Sequence, residues 1–251
     1  MKGEICQDRT VFRIGGADRE RFLQGLVTND VSRLADGLMY AALLTPQGKY
    51  LADFFLVAAN DAILLDVKSG FADDLAKRLG MYTLRADVTL TMTDIPVHRG
   101  LGDGPGGGLP DPRDVSLGWR HYGGLDIDAT EFDWDALRVA ACIPESGIEL
   151  IPNGSFILEA GFERMNGVDF AKGCYVGQEV TARMKHKTSL RKGLASVRVE
   201  GQAPEGTEIH AAGRPTGTLF TQSGGRGIAY LRFDRAVGDM KAGDAVVRHE
   251  G

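Results

Sequence analysis

The apolar positions of this chain fall into short runs whose period changes from two to about three and a half and back again. Residues 10–14 predict a strand, and Gly15-Gly16-Ala17-Asp18 hands over to a helix that Asp18 can cap, with Phe22, Leu23, Leu26 and Val27 along one face. The polar end of that helix, from Gln24 to Asp30, reads either as capping and surface chemistry or as ligand contact. Two apolar runs, 38–44 and 50–57, flank Thr45-Pro46-Gln47-Gly48-Lys49; Pro46 and Gly48 suit a tight turn, so the segment predicts a hairpin. Asp53 interrupts the second run, and a carboxylate there either faces solvent or receives donors in a pocket. Residues 63–67 predict a strand, 71–79 a helix with Phe71, Leu75 and Leu79 on one face, and Val88, Leu90 and Met92 an alternating strand. Strands and helices mixed in this way define an α+β class.

Beyond residue 99 the pattern breaks. Gly102, Gly104 and Gly107 formally satisfy GxGxxG, but Pro105, Pro110 and Pro112 deny the helix whose amino end would receive a pyrophosphate, so residues 100–114 read as a flexible surface loop. A strand is expected at 119–122 and a helix at 132–142, closed by Pro144 and Gly147, with Cys142 as a small buried hydrophobe. From Gly193 onward alternating pieces recur at 194–199, 207–210, 216–221, 227–232 and 245–247, separated by glycine-rich turns, which predicts a small antiparallel sheet or barrel. The expected organisation is therefore a region at 1–190, with a division near 95–115, and a carboxy-terminal β-barrel domain at 191–251.

Composition narrows the class. Of 251 residues 43% are hydrophobic and 25% charged, which excludes a disordered or fibrous chain. A net charge of -5 argues against a wholly basic, nucleic-acid-binding surface. One local run, 183–192, carries five positive charges and no acid; it reads as a solvated face or, beside a pocket, as an attractor for an anion or a phosphate backbone. Three separated cysteines, Cys6, Cys142 and Cys174, argue for a reducing compartment and make a poor metal cage. With no apolar leader-like segment and no run of membrane-spanning length, a cytoplasmic, bacterial location without membrane association is expected.

Chemistry concentrates in Lys172-Gly173-Cys174-Tyr175-Val176-Gly177-Gln178-Glu179, followed by Val180-Thr181-Ala182-Arg183. The glycines allow positive φ or close approach of a ligand, and Lys172, Gln178, Glu179 and Arg183 bring donors and acceptors that are costly to bury unpaired. The stretch reads either as the rim of a site or as a polar turn leading into a helix with a buried cysteine. Convergence of Lys172, Arg183 and Lys185 would lower the Cys174 thiol pKa; the alternative is an unreactive cysteine at a helix start. A Cys174–His186 nucleophile and base pair lacks a third orienting group. Glu159, among apolar neighbours, suits a hydrogen-bonding ligand or an ion pair with an arginine. No Walker A, GxSxG or HExxH motif is present.

The run KGCYVGQE with Thr181-Ala182-Arg183 is similar to the signature of the YgfZ family, folate-binding proteins related to the T-protein of the glycine cleavage system. Residues 22–30 (FLQGLVTND), 44–49 (LTPQGK), Leu158-Glu159-Ala160, Met165-Asn166-Gly167-Val168 and 227–232 (GIAYLR) extend the likeness over nearly the whole chain. Mitochondrial iron–sulfur assembly factors of this family look similar over 165–183.

The resemblance implies a T-protein-like fold around a folate-sized cavity, with a carboxy-terminal barrel. It also implies tetrahydrofolate or a derivative as cofactor, and iron–sulfur client or assembly proteins as partners. On the family pattern Glu159 matches the carboxylate that hydrogen-bonds the pterin, Asp53, Tyr175, Gln178 and Arg183 join the folate site, and Cys174 is the functional thiol within the motif formed by Lys172, Gly173, Cys174, Tyr175, Gly177, Gln178 and Glu179. Aminomethyl-transferring T-proteins carry paired aspartates after the hairpin turn, whereas this chain has Leu51-Ala52-Asp53. The expectation is thus an accessory, folate-dependent factor for maturation or repair of iron–sulfur enzymes. The alternatives are an aminomethyltransferase or other one-carbon transferase and, more weakly, an RNA-associated factor using residues 183–192.

Overall fold

The near-continuous apolar runs of the hairpin arise because its strands are covered on both faces. In the computed structural model, which describes residues 2–186 and 190–250, the chain folds as two units, Met1–Phe132 with Glu163–Val180 and Asp133–Phe162 with Thr181–Gly251. Residues 187–189 of the expected basic run, and with them part of the RNA reading, lie outside the described residues.

The first unit holds β1 (Lys2–Ile5), β2 (Arg9–Gly15), α1 (Arg19–Gln24), β3 (Met39–Leu44), β4 (Tyr50–Ala59), β5 (Ala62–Lys68), α2 (Ala72–Gly80), β6 (Thr89–Thr93), β7 (Val97–Gly100), β8 (Leu109–Pro110), β9 (Trp119–Tyr122) and β10 (Asp128–Ala129). One five-stranded sheet has the order β3-β4-β5-β2-β6 and the other β10-β1-β7-β9-β8. Because side chains alternate across a strand, Met39, Ala41, Leu43, Phe54, Leu56, Leu65 and Val67 share one face of the first sheet, packed with Leu23 of α1 and Leu75 and Leu79 of α2. The intervening Tyr40, Asp53, Phe55 and Asp66 are also buried and form a polar layer on the other face.

The expected hairpin is β3 and β4, closed by hydrogen bonds from Thr45 N to Lys49 O (2.8 Å) and from Gly48 N to Thr45 O (2.8 Å), with Gly48 at φ 74°. Two local expectations need correction. Asp18 does not cap α1: its carboxylate accepts the Asp87 N–H at 2.9 Å, while the Asp87 carboxylate accepts the Ala17 N–H at 3.1 Å, so the helix entry is tied to the segment leading into β6. The expected strand at 88–92 forms as β6, an edge strand on which Met92 is 56% exposed. The glycine- and proline-rich segment is not wholly a surface loop, since Leu109–Pro110 pairs with β9 and Asp111 beyond it is buried among cations.

In the second unit α3 (Trp134–Ala141) is capped by Asp133, whose carboxylate accepts the Ala136 N–H at 2.8 Å. Cys142 is half-buried rather than fully so, because it ends this helix in the left-handed conformation at φ 51°. α4 (Gln178–Lys185) carries the chain from the first unit into the second. There follow β11 (Lys192–Glu200), β12 (Thr207–Ala211), β13 (Arg214–Ser223), β14 (Arg226–Arg232), β15 (Met240–Ala242) and β16 (Ala245–His249). They close a barrel in the order β11-β14-β13-β12-β15-β16 around Val197, Ile209, Leu219, Leu231, Met240 and Val247. Gly217 permits the close crossing of β13 and β14, since a β-carbon there would lie 2.1 Å from the Tyr230 carbonyl oxygen. No helix among the described residues is long and apolar enough to cross a membrane.

Candidate functional site

The 172–179 turn is built around a buried cation. Lys172 is 7% exposed, and its Nζ donates to the carbonyls of Gln24 (2.9 Å), Val27 (2.6 Å) and Asn29 (2.7 Å), with the Tyr175 ring centroid 5.0 Å away. Burial pushes this ammonium down to about 8, opposed by the carboxylates of Asp30 and Asp169. The same two segments are stitched by Asp169 N–H to Thr28 O (3.0 Å), Val176 N–H to Gly25 O (3.2 Å) and the buried Thr28 hydroxyl to Gly167 O (2.7 Å). Cys174, two residues beyond the lysine, is exposed, which sets aside the reading of a buried cysteine before a helix. Gly173 and Glu179 are exposed, Tyr175 is buried, Gly177 takes φ 85°, and the half-buried Gln178 begins α4.

Asp53 receives donors rather than facing solvent: the hydroxyl of Tyr50 donates at 2.6 Å and that of Tyr40 at 3.0 Å. Burial, then the Asp53 charge, pushes the Tyr40 phenol well above its ordinary value. Around Phe55 lie the guanidiniums of Arg120 (4.1 Å), Arg113 (4.9 Å) and Arg9 (5.7 Å from the ring centroid). Asp111 accepts two bonds from Arg113, at 3.0 and 2.8 Å, and one from Arg120 at 3.3 Å. Asp66 accepts from Arg9 (2.6 Å) and Tyr122 (2.9 Å) and lies 3.5 Å from Arg120. Burial alone would raise the Asp111 carboxyl, but Arg113 and then Arg120 hold it down at about 2. Sequence reasoning missed Arg9, Asp66, Asp111, Arg113 and Arg120. The available signal was a charge inside an apolar strand, as in Ala62–Lys68, AILLDVK.

Glu159 and Arg183 belong to the second unit, whereas Asp53, Cys174, Tyr175 and Gln178 belong to the first. Within its unit Glu159 lines a cavity of about 290 Å³ with Ile151, Phe156, Leu194, Phe220 and Tyr230. Its Oε2 accepts the Tyr230 hydroxyl at 2.6 Å, and its backbone carbonyl accepts the Leu194 N–H at 2.7 Å. The partner is thus a phenol, not the arginine of the ion-pair alternative. Burial, then the hydrogen bond to Glu159, pushes the Tyr230 phenol upward. Beneath, the buried Glu149 is saturated by Thr221, the Glu145 N–H and Arg138. Arg183 is exposed on α4.

An aminopyrimidinone edge offers two parallel N–H donors, and a carboxylate takes both. Glu159, held at one oxygen and facing apolar and aromatic walls, fits the donor edge and flat ring of a reduced pterin.

Two five-stranded sheets with their helices and a closed six-stranded barrel give the chain an aminomethyltransferase-like fold. The crystal structure of glycine cleavage system aminomethyltransferase T from Bartonella henselae superposes with a TM-score of 0.78 over 98% of this chain and 83% of that one, at 12% sequence identity. Residues 191–250 match the family model of the CAF17 C-terminal beta-barrel domain. The human mitochondrial iron-sulfur cluster assembly factor IBA57 is 31% identical over 92% of this chain and 78% of its own length. An uncharacterized protein of Haemophilus influenzae is 28% identical over 88% of this chain and 84% of its own. The chain belongs to the YgfZ/IBA57 family, the one its 172–183 signature resembles.

Proposed function

We propose that this protein is a tetrahydrofolate-binding accessory factor for the maturation or repair of iron–sulfur enzymes. The observation that carries this reading is similarity, over 92% of the chain, to a protein named as an iron–sulfur cluster assembly factor. Two features of the molecule support it: the Glu159 cavity, with a carboxylate acceptor for a pterin's donor edge, and Cys174, an exposed thiol on a braced turn. Bound tetrahydrofolate supplies a reduced pterin able to carry a one-carbon unit. The residues of this chain bind and orient it: Glu159 accepts from its donor edge, Tyr230 fixes that carboxylate, and Phe156 and Phe220 exclude water from the ring. Iron–sulfur clients or assembly proteins are the partners, met through Cys174. The reducing cytoplasm is the proposed compartment, supported by the odd number and wide separation of the three cysteines along the chain.

Removing the gene should lower the activity of cluster-containing enzymes under oxidative load; normal activity in all of them would sink the reading. Titration calorimetry with tetrahydrofolate tests the cofactor separately. The aminomethyltransferase-like fold favours a second reading, folate-dependent aminomethyl transfer. Against it stands the single acid at Leu51-Ala52-Asp53, and that acid is already engaged by two tyrosine hydroxyls. Release of ammonia from an aminomethyl-lipoyl donor by the purified protein would establish this second reading in place of the first.

A further inference from the structure

The lysine of the 172–179 turn has a task that its position in the motif does not announce. Three backbone carbonyls, of Gln24, Val27 and Asn29, converge on one point, an arrangement that without a cation would leave three acceptors facing one another. Lys172 Nζ fills that point with its three donors, one to each carbonyl, and the face of Tyr175 covers it. An ammonium is the side-chain group that matches this cage: a guanidinium is planar and too broad, and an amide has two donors only. The backbone links flanking it, Asp169 to Thr28 and Val176 to Gly25, bracket Lys172 and Cys174 on either side.

We propose that Lys172 is the positioning residue of the functional thiol: its ammonium, locked in the carbonyl cage of residues 24–29, fixes where the Cys174 turn stands and thereby how the thiol is presented to a partner. The consequence for Cys174 rests on the functional reading above; the lock itself does not. Lys172 touches no reacting group, and its influence passes through two residues of backbone.

The test reads amide hydrogen exchange in the whole protein. Lys172→Ala should cost the Asp169 and Val176 amides at least about tenfold in protection, the loss expected for charged hydrogen bonds, while the amides of β4 and β5 keep theirs. Ethylammonium added to this variant should restore both amides and tetramethylammonium, which has no N–H donor, should not. Undiminished protection, or a uniform loss over the whole unit that ethylammonium leaves unchanged, overturns the proposal. Should the variant fail to fold, the unaltered protein decides: its Lys172 ammonium must show couplings across hydrogen bonds to the carbonyl carbons of Gln24, Val27 and Asn29, and their absence is equally fatal. A Cys174→Ala protein with an intact lock and normal cluster-enzyme support would refute the functional reading while leaving the lock standing.

Discussion

Gly48 and Gly177 lie against one another, each at positive φ, and neither has room for a side chain. A β-carbon at Gly48 would lie 3.2 Å from the Gly177 carbonyl oxygen and 2.8 Å from Val180 Cβ; one at Gly177 would lie 3.2 Å from Gly48 Cα and 2.6 Å from Thr45 O. The tip of the hairpin is therefore the seat on which the cysteine-bearing turn rests. Gly177→Ala combines a left-handed backbone with a clash against main chain, so it should lower the unfolding free energy by about 3 kcal/mol. A urea midpoint unmoved from the parent would show that the seat gives way without cost.

Removing the Tyr230 hydroxyl leaves the cavity walls in place but frees the Glu159 carboxylate to rotate. Tyr230→Phe should weaken tetrahydrofolate binding roughly tenfold, the scale of one hydrogen bond to a charged group. Glu159→Ala should weaken it on the order of a hundredfold, since the pterin donors lose both acceptor oxygens. Calorimetric titration measures both, and unchanged affinity in the Glu159 variant would remove the ligand from this cavity.

Cys174→Ala should leave folate affinity as it is and abolish support of cluster enzymes, because the thiol is exposed and does not line the Glu159 cavity. Complementation of a deletion strain, run beside calorimetry on the same variant, separates the two effects. Full complementation would dismiss the thiol.

Asp111 gives a pH dependence with a defined sign. Its folded pKa, about 2, lies below the ordinary 3.8, so its stabilisation is complete above 3.8 and is lost as pH falls through about 2. The size of that contribution is about 2 kcal/mol. Asp111→Asn should flatten the acid limb of the stability curve between these values and destabilise the protein near neutrality, where Arg113 and Arg120 would keep their charges without the carboxylate. An acid limb identical to the parent's would mean that another carboxylate governs it.

What could be read from the residues alone was local. Pro46 and Gly48 announce the hairpin because a turn is decided within five residues, and the glycine-punctuated alternation after Gly193 announces most of the barrel strands. β15 escaped because Met240–Ala242 is too short to show an alternation. Asp66 and Arg120 were invisible as partners, since their meeting depends on the polar layer that the first sheet covers. Lys172 was legible as part of a motif but not as a lock. Its acceptors are main-chain carbonyls 143 to 148 positions away, and a carbonyl has no letter of its own. Cys142 looked like core because its neighbours are apolar; the left-handed cap position where it is only half-buried belongs to the helix end, not to the residue.

The first unit is completed by residues 163–180, which are synthesised only after thirty residues, 133–162, that belong to the second. During translation, then, the carbonyls of Gln24, Val27 and Asn29 leave the ribosome before the ammonium that bridges them, since Lys172 follows 143 to 148 residues later. The cysteine-bearing turn is the closing stitch of its unit, so a nascent chain stalled anywhere before it has neither a finished first unit nor the Cys174 thiol to offer.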